Sequence, residues 1–148
     1  MLIERFENWI GILVFKVSSM DFGCNISLVR VLHSAKQKYT SENLITYDGK
    51  DIPFYYMGDL LKLKNGSKIK DKHILIFESI EGPFGFAIDE LIEVLPWNKK
   101  IFENEVKSND VADNKFLLGK ICFQERTILL PDFNKIINLI KNKQYASF

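Results

Sequence analysis

Along most of this chain apolar side chains alternate with a period of two. In the first such run, Ile10 to Val17, residues Ile10, Ile12 and Val14 fall on one face and Gly11, Leu13 and Phe15 on the other. The β-branched and aromatic content predicts a strand. Asp21, Phe22 and Gly23 predict a turn edge ahead of Cys24, Asn25 and Ile26, which makes a hairpin of the two stretches. Leu28, Val29, Val31 and Leu32 form an apolar patch, bracketed by Ser27 and Ser34, that is too short for a helix. Ser34 to Asn43 is polar apart from Ala35 and Tyr39 and predicts an exposed loop.

Leu44 to Tyr47, Asp48-Gly49 and Ile52 to Tyr56 predict a second hairpin, because Asp-Gly accepts the positive φ values of a tight turn. Pro53 lacks an amide donor and is expected at an edge, a strand start or a bulge. Gly58, Asp59, Leu60 and Leu61 predict one helical turn capped by Asp59. Lysines at 62, 64, 68, 70 and 72 with Asn65-Gly66 mark an exposed connection.

Beyond this connection, His73 to Ser79 puts Ile74 and Ile76 on one face and Leu75 and Phe77 on the other, a strand covered on both sides. Glu81-Gly82-Pro83 predicts a turn into Phe84 to Ile88, and Leu91 to Leu95 continues the β pattern until Pro96. Asn98 to Lys115 is polar and reads as a long surface loop. Phe116 to Phe123 and Thr127 to Leu130 predict a hairpin around Gln124, Glu125 and Arg126. After Pro131 the period changes: Phe133, Ile136, Ile137 and Ile140 have helical spacing, with Lys141 and Lys143 where cations suit the helix dipole. Short strands in this order bury their apolar faces and remove open edges by curling into small barrels. The expected unit is one all-β domain over residues 1–148 with lobes near 13–69 and 70–140, the N-terminal segment being available to complete the second lobe.

Composition narrows the function classes. With 148 residues, 47% apolar, the chain can build a sizeable core. Its formal charge of +1 gives no global field toward nucleic acid or an acidic substrate. The lysine-rich connection contains Asp71 and no regular aromatic stacking positions, so a solvated loop is the expectation and no nucleic-acid partner is expected. No apolar run approaches the length of a membrane span, and the first residues do not read as a signal peptide, so a cytoplasmic location without membrane insertion is expected. Ile136, Ile137 and Ile140 suit a membrane-facing strip or docking onto a barrel equally well.

Cys24 and Cys122 are too far apart for a metal knuckle or redox pair and are expected to be buried thiols. His33 and His73 have no metal spacing with them. Asp89, Glu90 and Glu93 do not establish two facing carboxylates, and there is no Walker-type or dinucleotide-binding pattern. The residues point to no enzyme, no metal and no cofactor.

Three stretches carry a family resemblance. Leu44-Ile45-Thr46-Tyr47-Asp48-Gly49 with Ile52-Pro53-Phe54 and Asp59-Leu60, then Phe84-Gly85-Phe86-Ala87-Ile88-Asp89 through Glu93-Val94-Leu95, then Phe116-Leu117-Leu118-Gly119-Lys120 through Thr127-Ile128-Leu129-Leu130, occur in the order of the CheW-like domain of bacterial chemotaxis coupling proteins, which the chain resembles. The resemblance implies two intertwined five-stranded SH3-like barrels with a short C-terminal helix. It implies an adaptor without catalysis or cofactor, and contacts with a methyl-accepting chemoreceptor and a CheA-type histidine kinase at membrane receptor arrays. Two departures stand out: Asp48 replaces the arginine usual before the turn glycine, and Pro131 precedes Asp132 after the last apolar stretch. Other readings are a barrel interaction protein of another motility or developmental assembly and a small nucleic-acid-binding barrel.

Expected docking residues fall into two groups: Ile26, Leu28, Val29, Asp48, Pro53 and Tyr55 on the first lobe, and Phe84 and Leu91, with Phe86 and Val94 beside them, on the second. A few apolar anchors within a polar rim is the arrangement that gives interfaces their affinity. Core packing for the apolar members and turn chemistry for Asp48 are the competing roles.

Overall fold

A computed structural model describes residues 9–33, 38–41, 43–61, 73–96 and 116–146, and for 38–41 and 143–146 the backbone alone. In order these form β1 (Gly11–Val17), β2 (Met20–Asn25), a 3-10 turn (Ile26–Leu28), β3 (Val29–His33), β4 (Lys38–Ser41), β5 (Leu44–Tyr47), β6 (Lys50–Tyr56) and α1 (Met57–Leu60). Then come β7 (His73–Ser79), β8 (Gly82–Ile88), β9 (Glu90–Pro96), β10 (Leu117–Phe123), β11 (Arg126–Pro131) and α2 (Phe133–Ala146). The lysine-rich stretch 62–72 and the expected loop over 98–115 lie outside the described residues.

The strands form two sheets, one ordered β10-β11-β2-β1-β9 and the other β3-β7-β8-β6-β5-β4. Strand pairing does not follow the division drawn at residues 69 and 70. β7 and β8 complete the sheet of β3 to β6, while β1 and β2 join β9 to β11, so the chain crosses between sheets after Asn25 and again at Asp89. A polar connection marks exposed chain, whereas sheet membership is decided by which strands share a ladder, here Val29 to His33 against Phe77 to His73. The second sheet has the five strands β3, β7, β8, β6 and β5, extended by the short β4 within the stretch expected to be loop. The polar run Lys38–Ser41 is held there by antiparallel pairing with β5, as an edge strand.

Three apolar clusters explain two sheets in one unit. Ile12 and Val14 of β1 join Leu95, Ile121, Ile128 and Leu130 inside the first sheet. Ile45, Ile52, Phe54, Ile74 and Ile76 fill the second. Between the sheets, Leu13, Phe15, Val17 and Phe22 meet Leu75, Phe77, Phe86 and Ile88 in a shared core. Strands β1 and β7 therefore each place alternate residues in two different cores, which is why both are buried on both faces. Helix α2 covers the shared core with Phe133, Ile136, Ile137 and Ile140; the isoleucines are buried, which settles the choice between membrane strip and docked helix for the latter. Asp132 starts this helix, accepting the Lys135 amide at 3.2 Å on Oδ1. Lys141 pairs with Glu81 of the β7–β8 hairpin.

Several local expectations need correction. The β1–β2 turn is made by Ser18 and Ser19, at φ 49° and 69°, while Phe22 and Gly23 lie within β2. Neither serine announces a left-handed turn as Asp48-Gly49 does at φ 53° and 77°. The β7–β8 turn falls on Ile80 and Glu81, one residue ahead of the expected triplet, with Gly82 already paired to Ser79. Helix α1 begins at Met57 after Tyr56, with no side-chain cap, and Asp59 sits inside its first turn; the fully buried Met57 anchors it instead. Pro53 occupies the middle of β6, an interior strand. It is tolerated because the Phe54 amide donates to Asn43 O at 3.0 Å, so the missing Pro53 donor faces β8, whose pairing with β6 begins only at Phe54.

Glycine marks the tightest packing. A Cβ on Gly23 would stand 2.9 Å from both Ile12 Cγ2 and Ile128 Cγ2, in the interior of the first sheet. Gly23→Ala should lower stability by about 1–3 kcal/mol through this overpacking, measurable as a fall in the urea midpoint at constant slope; an unchanged midpoint would show that the sheet opens without cost.

Candidate protein-docking surface

The expected docking residues are held by different local causes. Asn25 is buried and caps the 3-10 turn: its Oδ1 accepts from the Ser27 amide at 3.2 Å and the Ser27 hydroxyl at 2.9 Å. That cap fixes the bend that carries Ile26, Leu28 and Val29 from one sheet to the other. Ile26 and Val29 are half-buried against the shared core, and Leu28 is 48% exposed. Tyr55, Phe84 and Leu91 are also half-buried on the rim of that core, in register with Phe86, Phe77 and Phe15 respectively. Asp48 is exposed at the tip of the β5–β6 hairpin, and Pro53 is half-buried opposite Leu44.

One member of each expected group meets at Gly11: the Cβ position on Gly11 is 3.5 Å from Ile26 Cγ2 and 3.6 Å from Val94 Cγ1, with Leu95 O at 3.2 Å. Ile26 and Val94 thus lie on either side of the buried Gly11, and Val94 is 51% exposed. Leu28 follows in the same turn as Ile26, and Ile10, 73% exposed, precedes the glycine. Phe86, by contrast, is completely buried and presents nothing to a partner, so its place among the docking residues is corrected. Sequence reading missed Gly11, Ile10 and Asn25; the Asn-x-Ser spacing is the one local signal that announced the capped turn.

Two polar connections fix the frame. Asp89, at the crossover between the sheets, accepts the Ser18 amide on Oδ2 at 2.7 Å, and its own amide donates to Lys16 O at 3.0 Å. It thereby fastens the β1–β2 turn to the crossover between the sheets. Arg126 of β11 reaches Glu93 of β9 at 3.1 Å, although β2 and β1 lie between those strands in the sheet, which shows how far that sheet curls. Burial pushes the Cys24 thiol up to about 12, leaving it protonated and unreactive.

A model of the CheW-like domain family matches residues 11–141, which contain every described strand and the start of α2. Among solved structures the chain is similar to the scaffolding protein TtCheW from Thermoanaerobacter tengcongensis, at a TM-score of 0.67 and 23% identity over 82% of this chain and 88% of that one. The likeness shows the fold, two SH3-like barrels, in agreement with the two curled sheets. No curated protein matches the chain. With the family model spanning all eleven described strands in order, the chain belongs to the CheW-like domain family.

Proposed function

We propose that this protein is a non-catalytic coupling adaptor of bacterial chemotaxis, holding a methyl-accepting chemoreceptor and a CheA-type histidine kinase together through noncovalent contacts. Family membership supports the class, and the apolar strip of Ile26 and Val94 at Gly11, with Leu28 exposed in the same turn as Ile26, is the observation that carries it. Such a strip desolvates a partner's apolar side chain without any reacting group. The mechanism is positional: each partner binds best in one relative geometry, so a change in the receptor alters the kinase through their shared contacts with the adaptor. The adaptor acts in the cytoplasm at receptor arrays. No helix among the described residues is long and apolar enough to cross a membrane.

Pull-down followed by reciprocal binding measurements with a native kinase regulatory domain and a receptor fragment tests this reading. Binding to both supports it, and a folded protein that binds neither rejects it. Asp48→Arg restores the cation usual before the turn glycine at an exposed tip. The variant should fold as the parent does and alter partner affinity, read by calorimetry at two salt concentrations; identical affinities would remove Asp48 from the interface.

A further inference from the structure

The two histidines of the chain are 40 positions apart in sequence and directly opposite each other in the fold. His33 ends the edge strand β3 and His73 opens β7, and they are cross-strand partners. Their ring centres are 5.4 Å apart with the planes at 73°. A divalent ion about 2 Å from one nitrogen of each ring, at a tetrahedral angle, places the ring centres about 5 Å apart. The observed separation of the two rings meets that requirement. Nδ1 of His73 is buried with no hydrogen-bond partner among the described residues, so the protein supplies this imidazole with a polar atom it does not itself satisfy.

We propose that His33 and His73 form a two-histidine site for a borderline divalent cation, Zn²⁺ being the type case, with water completing the coordination. Imidazole nitrogen is the ligand such ions prefer over the oxygen donors that suit magnesium and calcium. No group of three or more histidine, cysteine, aspartate or glutamate side chains capable of holding a metal occurs among the described residues. The site is accordingly a clip on the end of an edge strand, weaker than a closed structural zinc site, and it fastens β3 to β7. It does not depend on the coupling reading.

The test is Zn²⁺ titration of the full, tag-free chain, followed by calorimetry and by the ring ¹⁵N shifts of both histidines. One equivalent should bind, both rings should shift together, and the thermal midpoint should rise with Zn²⁺. His33→Ala and His73→Ala should each weaken binding at least tenfold and abolish the rise in midpoint. If neither wild-type ring responds to Zn²⁺, or if a folded His33→Ala variant binds as tightly as wild type, the site does not exist. The wild-type ring shifts decide the matter even where a variant fails to fold.

Discussion

Phe86→Ala should remove about 3–5 kcal/mol of folding stability, a large share of the about 5–15 kcal/mol available to a domain of this kind. The residue is on β8 at the point where everything converges. Its side chain is fully buried in the core shared by both sheets, and its ring stacks on Phe133 of α2 at 5.2 Å between centres. Phe77 meets the same Phe133 ring at 5.1 Å, so the three aromatics tie β7, β8 and α2 together. Truncation leaves a cavity bordered by both sheets and the helix, and the surrounding strands, buried on both faces, have little freedom to collapse into it. Chemical denaturation should show the lowered midpoint, and hydrogen exchange should show α2 losing protection first. Val94→Ala, at an exposed site, is the matched control and should change stability by about 0.5 kcal/mol or less. A Phe86→Ala loss no larger than the control's would mean that the shared core is not what unites the two sheets.

What could be read from the sequence was local. The period-two runs of β1 and β7 and the helical spacing of Phe133, Ile136, Ile137 and Ile140 each depend on neighbours within a few residues, and each appears where expected. Asp48-Gly49 announced its hairpin because the Asp-Gly pair tolerates positive φ. The Ser18-Ser19 turn, with the same left-handed backbone, carries no such signal, and the reading slipped onto Phe22 and Gly23. Strand β4 was hidden because Lys-Tyr-Thr-Ser has no apolar alternation; backbone pairing to β5 makes it a strand, and that partner is supplied by the tertiary fold. The long-range features had no local trace. Ile26 and Val94 are 68 positions apart, and only the pairing of β1 with both β2 and β9 brings them to opposite sides of Gly11.

Val94→Asp should leave the fold intact and sharply weaken partner binding. Val94 lies on β9, an edge of its sheet, opposite Leu13 and half exposed, so a carboxylate there stays hydrated. The cost to stability should be about 1 kcal/mol at most. In a complex the same carboxylate would be enclosed beside Ile26. There it would lose water against an apolar neighbour. A buried unpaired charge at an anchor position costs on the order of 2 kcal/mol or more, so affinity for at least one of the two partners should fall about 30-fold or further. Leu28→Asp, exposed two residues from Ile26 in the same turn, should act on the same partner, and the double variant should lose less than the two separate losses combined, because the two positions serve one contact. Asp48→Arg, at the distant hairpin tip, should combine additively with either. Full affinity for receptor and kinase in folded Val94→Asp would place the docking surface elsewhere on the barrels and leave the Gly11 strip as exposed packing without a partner.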